Sequence, residues 1–127
     1  MIRAFIFDLD GTLVETELLK AQAYASVSQT LLGLDAPDER AINVYRRIVG
    51  ATDETAARTM VDELELASAM HESAEEPWKV LSRLQAERYR SDFASGDSLR
   101  SVVYHHAIDP LRDQAASEMV VAVATSS

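Results

Sequence analysis

At 127 residues the chain is long enough for one domain with a real core, and with 47% hydrophobic and 26% charged residues it reads as an ordered globular protein. A formal net charge of −9 argues against nonspecific binding to nucleic acid or to anionic membranes. Without cysteine there is no disulfide or thiolate chemistry. The short apolar run before Asp8 is unlike a signal peptide, and no run is long enough for a membrane helix, so a cytoplasmic protein is expected.

Residues 2–8 read as a buried-looking strand, Ile2-Arg3-Ala4-Phe5-Ile6-Phe7-Asp8. Residues 17–32 carry Leu19, Ala23, Val27 and Leu31 at helical spacing with Tyr24 beside them, and Gly33 stands where a helix would end. Asp35-Ala36-Pro37-Asp38 is a helix start, followed by Ala41, Val44, Tyr45 and Ile48 on one face up to Gly50. Thr52 is placed to cap the next helix, with Asp53 and Glu54 in its first turn and Ala57, Met60, Val61 and Leu64 as its apolar stripe. Ser73-Ala74-Glu75-Glu76 has the capping-box pattern and is expected to open a long helix to about Phe93.

Gly96 falls in a polar loop over 94–98. Asp109-Pro110 reads as N-cap and first residue of a short helix to about Glu118. Met119-Val120-Val121-Ala122-Val123-Ala124 is apolar without alternation, the pattern of a parallel strand buried on both faces. The fold class is therefore α/β. The helical stretch between the two strands is too long for one simple crossover, so a helical segment is inserted between them.

The junction Asp8-Leu9-Asp10-Gly11-Thr12-Leu13 carries the chemistry. Two carboxylates two residues apart point to one side if the strand persists through them, at the strand-end edge where α/β sheets bind ligands. Gly11 lets the backbone turn and approach a ligand. One carboxylate can attack while the other moves protons. On its own an Asp-X-Asp pair is usually two solvated loop carboxylates; an apolar strand before it and Gly-Thr-Leu-Val after it favour function here.

The segment FDLDGTLVETE resembles motif I of the haloacid dehalogenase-like hydrolases, and Ala124-Thr125-Ser126-Ser127 after the second strand resembles their motif II. The resemblance implies a parallel-sheet core from residues 1–15 and 96–127 and a helical cap over 16–95, of the phosphoglycolate phosphatase and β-phosphoglucomutase type. It implies an Mg²⁺-dependent phosphatase acting on a small phosphorylated metabolite. Asp8 would be the nucleophile that forms an aspartyl-phosphate and Asp10 the general acid–base. Mg²⁺ would be held by the Asp8 carboxylate and the Asp10 carbonyl. Gly11, Thr12, Gly50, Thr125 and Ser126 would contact phosphate or substrate. Gly50 enters because Tyr45–Thr52 is similar to a cap segment whose glycine loop faces the substrate; a mutase of that type favours arginine where this chain has Asp53, which speaks against mutase activity.

Thr16 and Glu17 are hinge candidates, although Thr16 also suits a plain N-cap. His105-His106 reads as a surface pair, Trp78 as packing within the helices, and Tyr45-Arg46-Arg47 as one core aromatic on a solvated face. A phospho-acceptor receiver domain also uses acidic strand ends, but it puts the acceptor on a later strand and carries no such insertion. The family's third and fourth motifs, a cation and an acidic cluster, follow motif II by many residues. The only lysines here are Lys20 and Lys79. The resemblance thus implies the N-terminal part of such an enzyme, inactive by itself; the alternative is a non-catalytic relative that binds without turnover.

Overall fold

The computed structural model describes residues 4–116 and 120–124. A first strand, β1 (Ala4–Asp8), is followed by α1 (Thr16–Leu32), α2 (Glu39–Ile48), α3 (Asp53–Glu63), α4 (Pro77–Arg88), α5 (Gly96–Ser101) and α6 (His105–Ala115), and then by β2 (Val120–Ala124). A 3₁₀ turn, Leu66–Met70, lies between α3 and α4, and a π-helical turn, Tyr89–Phe93, continues α4. The class is α/β: two parallel strands and a majority of helix. The chain divides into two compact units, Leu18–Ser95, whose regular structure is all helical, and Met1–Glu17 with Gly96–Ser127, which holds both strands.

In the strand unit β1 and β2 pair in parallel, from Ala4 opposite Val120 to Asp8 opposite Ala124. Residues in register share a face, so Ala4, Ile6, Val120 and Ala122 lie on one side and Phe5, Phe7, Val121 and Val123 on the other. The Phe5 and Phe7 rings stand 6.1 Å apart. The expectation of burial on both faces fails: Ile6 is 74% exposed, Val120 63% and Val123 52%. A run of valines marks a strand that tolerates two covering layers; it does not supply them. Among the described residues the sheet has two strands, and α6 packs against β2.

α6 begins earlier than Asp109-Pro110 suggests, and Pro110 lies inside it. Tyr104 is extended and starts the helix, its carbonyl accepting from the Ala107 and Ile108 N–H groups at 2.9 and 3.0 Å. Burial of Leu111 holds that helix face inward, and this outweighs the one hydrogen bond that proline cannot make. His105 and His106 are exposed, as expected of a surface pair.

The helical unit packs about Met60, Leu66 and Leu81, all fully buried. α1 buries more than one stripe: Ala21, Ala23, Tyr24, Ala25, Val27 and Ser28 are all inside, and its many alanines leave room for neighbours to approach closely. α2 is pinned to it through Asp38, which caps α2 by accepting from the Arg40 N–H at 3.1 Å. The same buried carboxylate accepts from the Ser28 hydroxyl of α1 at 2.7 Å, and the Asp38 N–H donates to the Ala25 carbonyl at 3.1 Å. Thr52 caps α3 as read, accepting from the Thr55 N–H at 3.2 Å. Tyr45 is buried while Arg46 and Arg47 are exposed, Arg47 pairing with Glu63. Trp78 packs against the helical core, with the Arg58 guanidinium 4.9 Å from its ring centre.

Two further helix starts differ from the sequence reading. Ser73 does not cap a helix; its hydroxyl accepts from the Glu75 N–H at 3.1 Å in a local turn, and α4 starts at Pro77. A residue before proline is held extended, and Glu76, with ψ of 134°, is; the proline, not the capping box, sets the boundary. Gly96 opens the short α5 instead of lying in a loop.

Candidate active site

β1 ends at Asp8, and the chain bends at Leu9. The strand therefore does not carry Asp8 and Asp10 to one side by its pleat. The Leu9 N–H is the last rung, donating to the Ala124 carbonyl at 3.1 Å and to the Asp8 carboxylate at 2.9 Å. The Leu9 carbonyl then accepts from the N–H groups of Leu13 and Val14, at 3.0 and 3.1 Å, and the Gly11 N–H donates to the Val14 carbonyl at 2.8 Å. This loop needs a left-handed residue, and Gly11 supplies it with φ of +74°. Leu13 is buried and anchors the loop; Thr12 is exposed.

A segment that the sequence does not single out braces the loop from outside. The Glu15 N–H donates to the Val102 carbonyl at 2.8 Å and the Tyr104 N–H to the Leu13 carbonyl at 2.9 Å, with Val14 and Val103 paired as an antiparallel bridge. No residue pattern over 102–104 announces this, because the contact is made by backbone groups.

Thr16 is buried, stands as the first residue of α1, and donates its hydroxyl to an Asp10 carboxylate oxygen at 2.8 Å. That bond, not strand alternation, orients Asp10. Asp8 lies exposed at the strand end. The pair thus consists of an open carboxylate at the end of β1 and a second one held by a buried threonine. The sequence marks Thr16 as hinge or cap but not this bond, since nothing in it says which way the hydroxyl turns.

Gly50 belongs to the helical unit, in the turn between α2 and α3, with φ of +90°. Thr125 and Ser126 follow Ala124, the register partner of Asp8, and lie outside the described residues, as does Ser127. Among the described residues no three His, Asp or Glu side chains gather as a metal site. The donors the loop does offer, the Asp8 carboxylate and the Asp10 backbone carbonyl, are hard oxygens, a chemistry that fits Mg²⁺ with most of its waters retained. No helix among the described residues is long and apolar enough to cross a membrane.

No protein-family model matches the chain, and no curated protein matches it. Among solved structures it is similar to a variant of CbbY from Rhodobacter sphaeroides, crystallised in complex with xylulose 1,5-bisphosphate. The identity is 23% and the TM-score 0.52, over 100% of this chain and 52% of that one. The likeness is one of fold, and the chain spans about half the length of the structure it matches.

Proposed function

We propose that this chain carries the nucleophile-bearing part of a haloacid dehalogenase-like phosphatase, and that the substrate is a small phosphorylated metabolite. The observation that carries the reading is the exposed Asp8 at the end of β1 beside an Asp10 held by the Thr16 hydroxyl at 2.8 Å. The motif-I sequence and the likeness in fold to CbbY, crystallised with a phosphorylated sugar, support it.

An Asp8 carboxylate oxygen attacks phosphorus in line, forming the aspartyl-phosphate as the bond to the leaving oxygen breaks. Asp10 gives its proton to the departing alkoxide. It then takes a proton from water, which attacks the acyl phosphate, releases inorganic phosphate and restores the Asp8 carboxylate. Thr16 keeps Asp10 in place through both steps. The Asp8 carboxylate and the Asp10 carbonyl would hold Mg²⁺, whose positive charge would offset the repulsion between carboxylate and phosphate. Thr12 of the Asp8 loop, with Thr125 and Ser126, binds the phosphoryl oxygens.

The test is acid-quenched labelling with acetyl phosphate and Mg²⁺. One phosphoryl group is expected on Asp8, labile to hydroxylamine and absent from Asp8→Asn. Labelling or phosphomonoester hydrolysis that survives in Asp8→Asn rules out the nucleophile assignment.

A further inference from the structure

The helical unit holds a mostly apolar cavity of about 420 Å³ beside Gln22, Ala25 and Ser26 of α1. Pro37 of the α1–α2 loop, Ile42 of α2 and Phe93 of the π turn complete its apolar wall. The π turn decides that Phe93 stands there. It closes through the Ala94 N–H donating to the Tyr89 carbonyl at 2.8 Å, a span one residue longer than an α-turn. The extra residue turns Phe93 off the face that an uninterrupted α4 would give it, and such turns recur at functional sites.

Three polar side chains, Gln22, Ser26 and Glu39, also line the cavity. None of the three has a hydrogen-bond or ion-pair partner among the described residues. Other carboxylates of the helical unit are held: Asp38 by Arg40, Glu63 by Arg47, Glu54 and Glu76 by Arg58. Glu39 carries the one formal charge on this wall. Arg40 is engaged with Asp38, and Arg46 lines an adjoining groove without an ion pair to Glu39. A carboxylate is at home in the first turn of a helix without any ligand, so Glu39 alone carries nothing. The combination does: an apolar enclosure with one unpaired charge and two unpaired hydrogen-bonding groups on its wall is the make-up of a small-molecule site.

We propose that this cavity binds a small primary amine with an apolar, ring-sized body, the ammonium on Glu39 and the body against Pro37, Ile42 and Phe93. An ammonium brings three donors, and the Glu39 carboxylate, the Gln22 amide oxygen and the Ser26 hydroxyl can all accept. An anion of the same shape would meet the Glu39 charge and no cation on the wall. The volume suits one small molecule. Every lining residue belongs to the helical unit, and none is among those assigned above to phosphate or substrate. The inference therefore goes beyond the phosphatase reading and stands or falls separately.

The test is two-dimensional NMR of the full chain titrated with phenethylamine. The neutral, anionic and ring-less counterparts are 2-phenylethanol, 3-phenylpropionate and n-butylamine, the last a mimic of a partner's lysine side chain. In the unaltered protein, amide shifts with phenethylamine centre on Gln22, Ser26, Glu39, Ile42 and Phe93, a readout that no unfolded variant can mimic. Phenethylamine binds about tenfold more tightly than 2-phenylethanol, the worth of a charge-assisted hydrogen bond. Glu39→Gln removes that difference and leaves the affinity for the alcohol unchanged, whereas Phe93→Ala weakens both. Absence of shifts with phenethylamine, shifts centred on other residues, equal binding of 3-phenylpropionate or n-butylamine, or an amine preference that survives in Glu39→Gln overturns the proposal.

Discussion

Removing the Asp38 carboxylate tests the joint between α1 and α2. Asp38 is 5% exposed and Ser28 0%. Asp38→Ala takes away the N-cap of α2, at about 1 kcal/mol. It also leaves the Ser28 hydroxyl buried without its acceptor, at roughly 1–3 kcal/mol. The expected loss is therefore about 2–4 kcal/mol, a large fraction of a small protein's stability. The Arg40 side chain, by contrast, is 58% exposed, and its contacts with Asp38 at 2.9 Å are screened by water. Arg40→Ala should then cost less than about 1 kcal/mol. Asp38→Asn keeps the oxygen that caps α2 and sets an NH2 donor opposite the Ser28 hydroxyl, which can turn to accept from it, and should cost about 1 kcal/mol. Urea denaturation followed by far-ultraviolet circular dichroism reads all three. The reasoning fails if Asp38→Ala costs under about 1 kcal/mol, or if Arg40→Ala matches it.

The same carboxyl predicts a pH dependence. The hydrogen bonds from Arg40, partly opposed by burial and aided by Ser28, hold Asp38 below its ordinary value of 3.8. A depressed folded value means that the contribution is complete above the unfolded value and is lost as pH falls through the folded one. Below pH about 4 the urea midpoint of the unaltered protein should therefore fall towards that of Asp38→Asn; parallel curves across that range would count against the linkage.

In a version of the protein that also carries the family's third and fourth motifs, Thr16→Val removes the hydroxyl that holds Asp10 and should slow phosphomonoester hydrolysis roughly ten- to hundredfold with little change in KM. Thr16→Ser should restore it, and an unaltered rate in the valine variant would free Asp10 from this role. Mg²⁺ is expected to bind with millimolar-scale affinity, from a site of one carboxylate and one carbonyl (an estimate from ligand count, roughly), and more weakly in Asp8→Ala; micromolar binding in a calorimetric titration would require further ligands. The exposed apolar sheet residues Ile6 and Val120 predict concentration-dependent self-association in sedimentation equilibrium, reduced by Ile6→Lys. A concentration-independent monomer would show that this surface is tolerated.

Local rules carried far in this chain. The two apolar strands, the helix start over Asp35–Asp38, the cap at Thr52, the helix ends at Gly33 and Gly50, and a carboxylate pair at the end of the first strand were all legible, because each depends on residues a few positions apart. Where two local signals competed, the sequence could not rank them: Pro77 overrode the Ser73 capping box, and the burial of Leu111 carried α6 through Pro110. Burial itself was out of reach, since a run of valines has the same composition whether Ile6 and Val120 face helices or water. The site divides the same way. Asp8, Asp10 and Gly11 stand out by spacing. The Thr16 bond that orients Asp10, and the backbone of Val102–Tyr104 that braces the loop, arise only when distant parts of the chain meet and peptide groups with no side-chain signature find their partners.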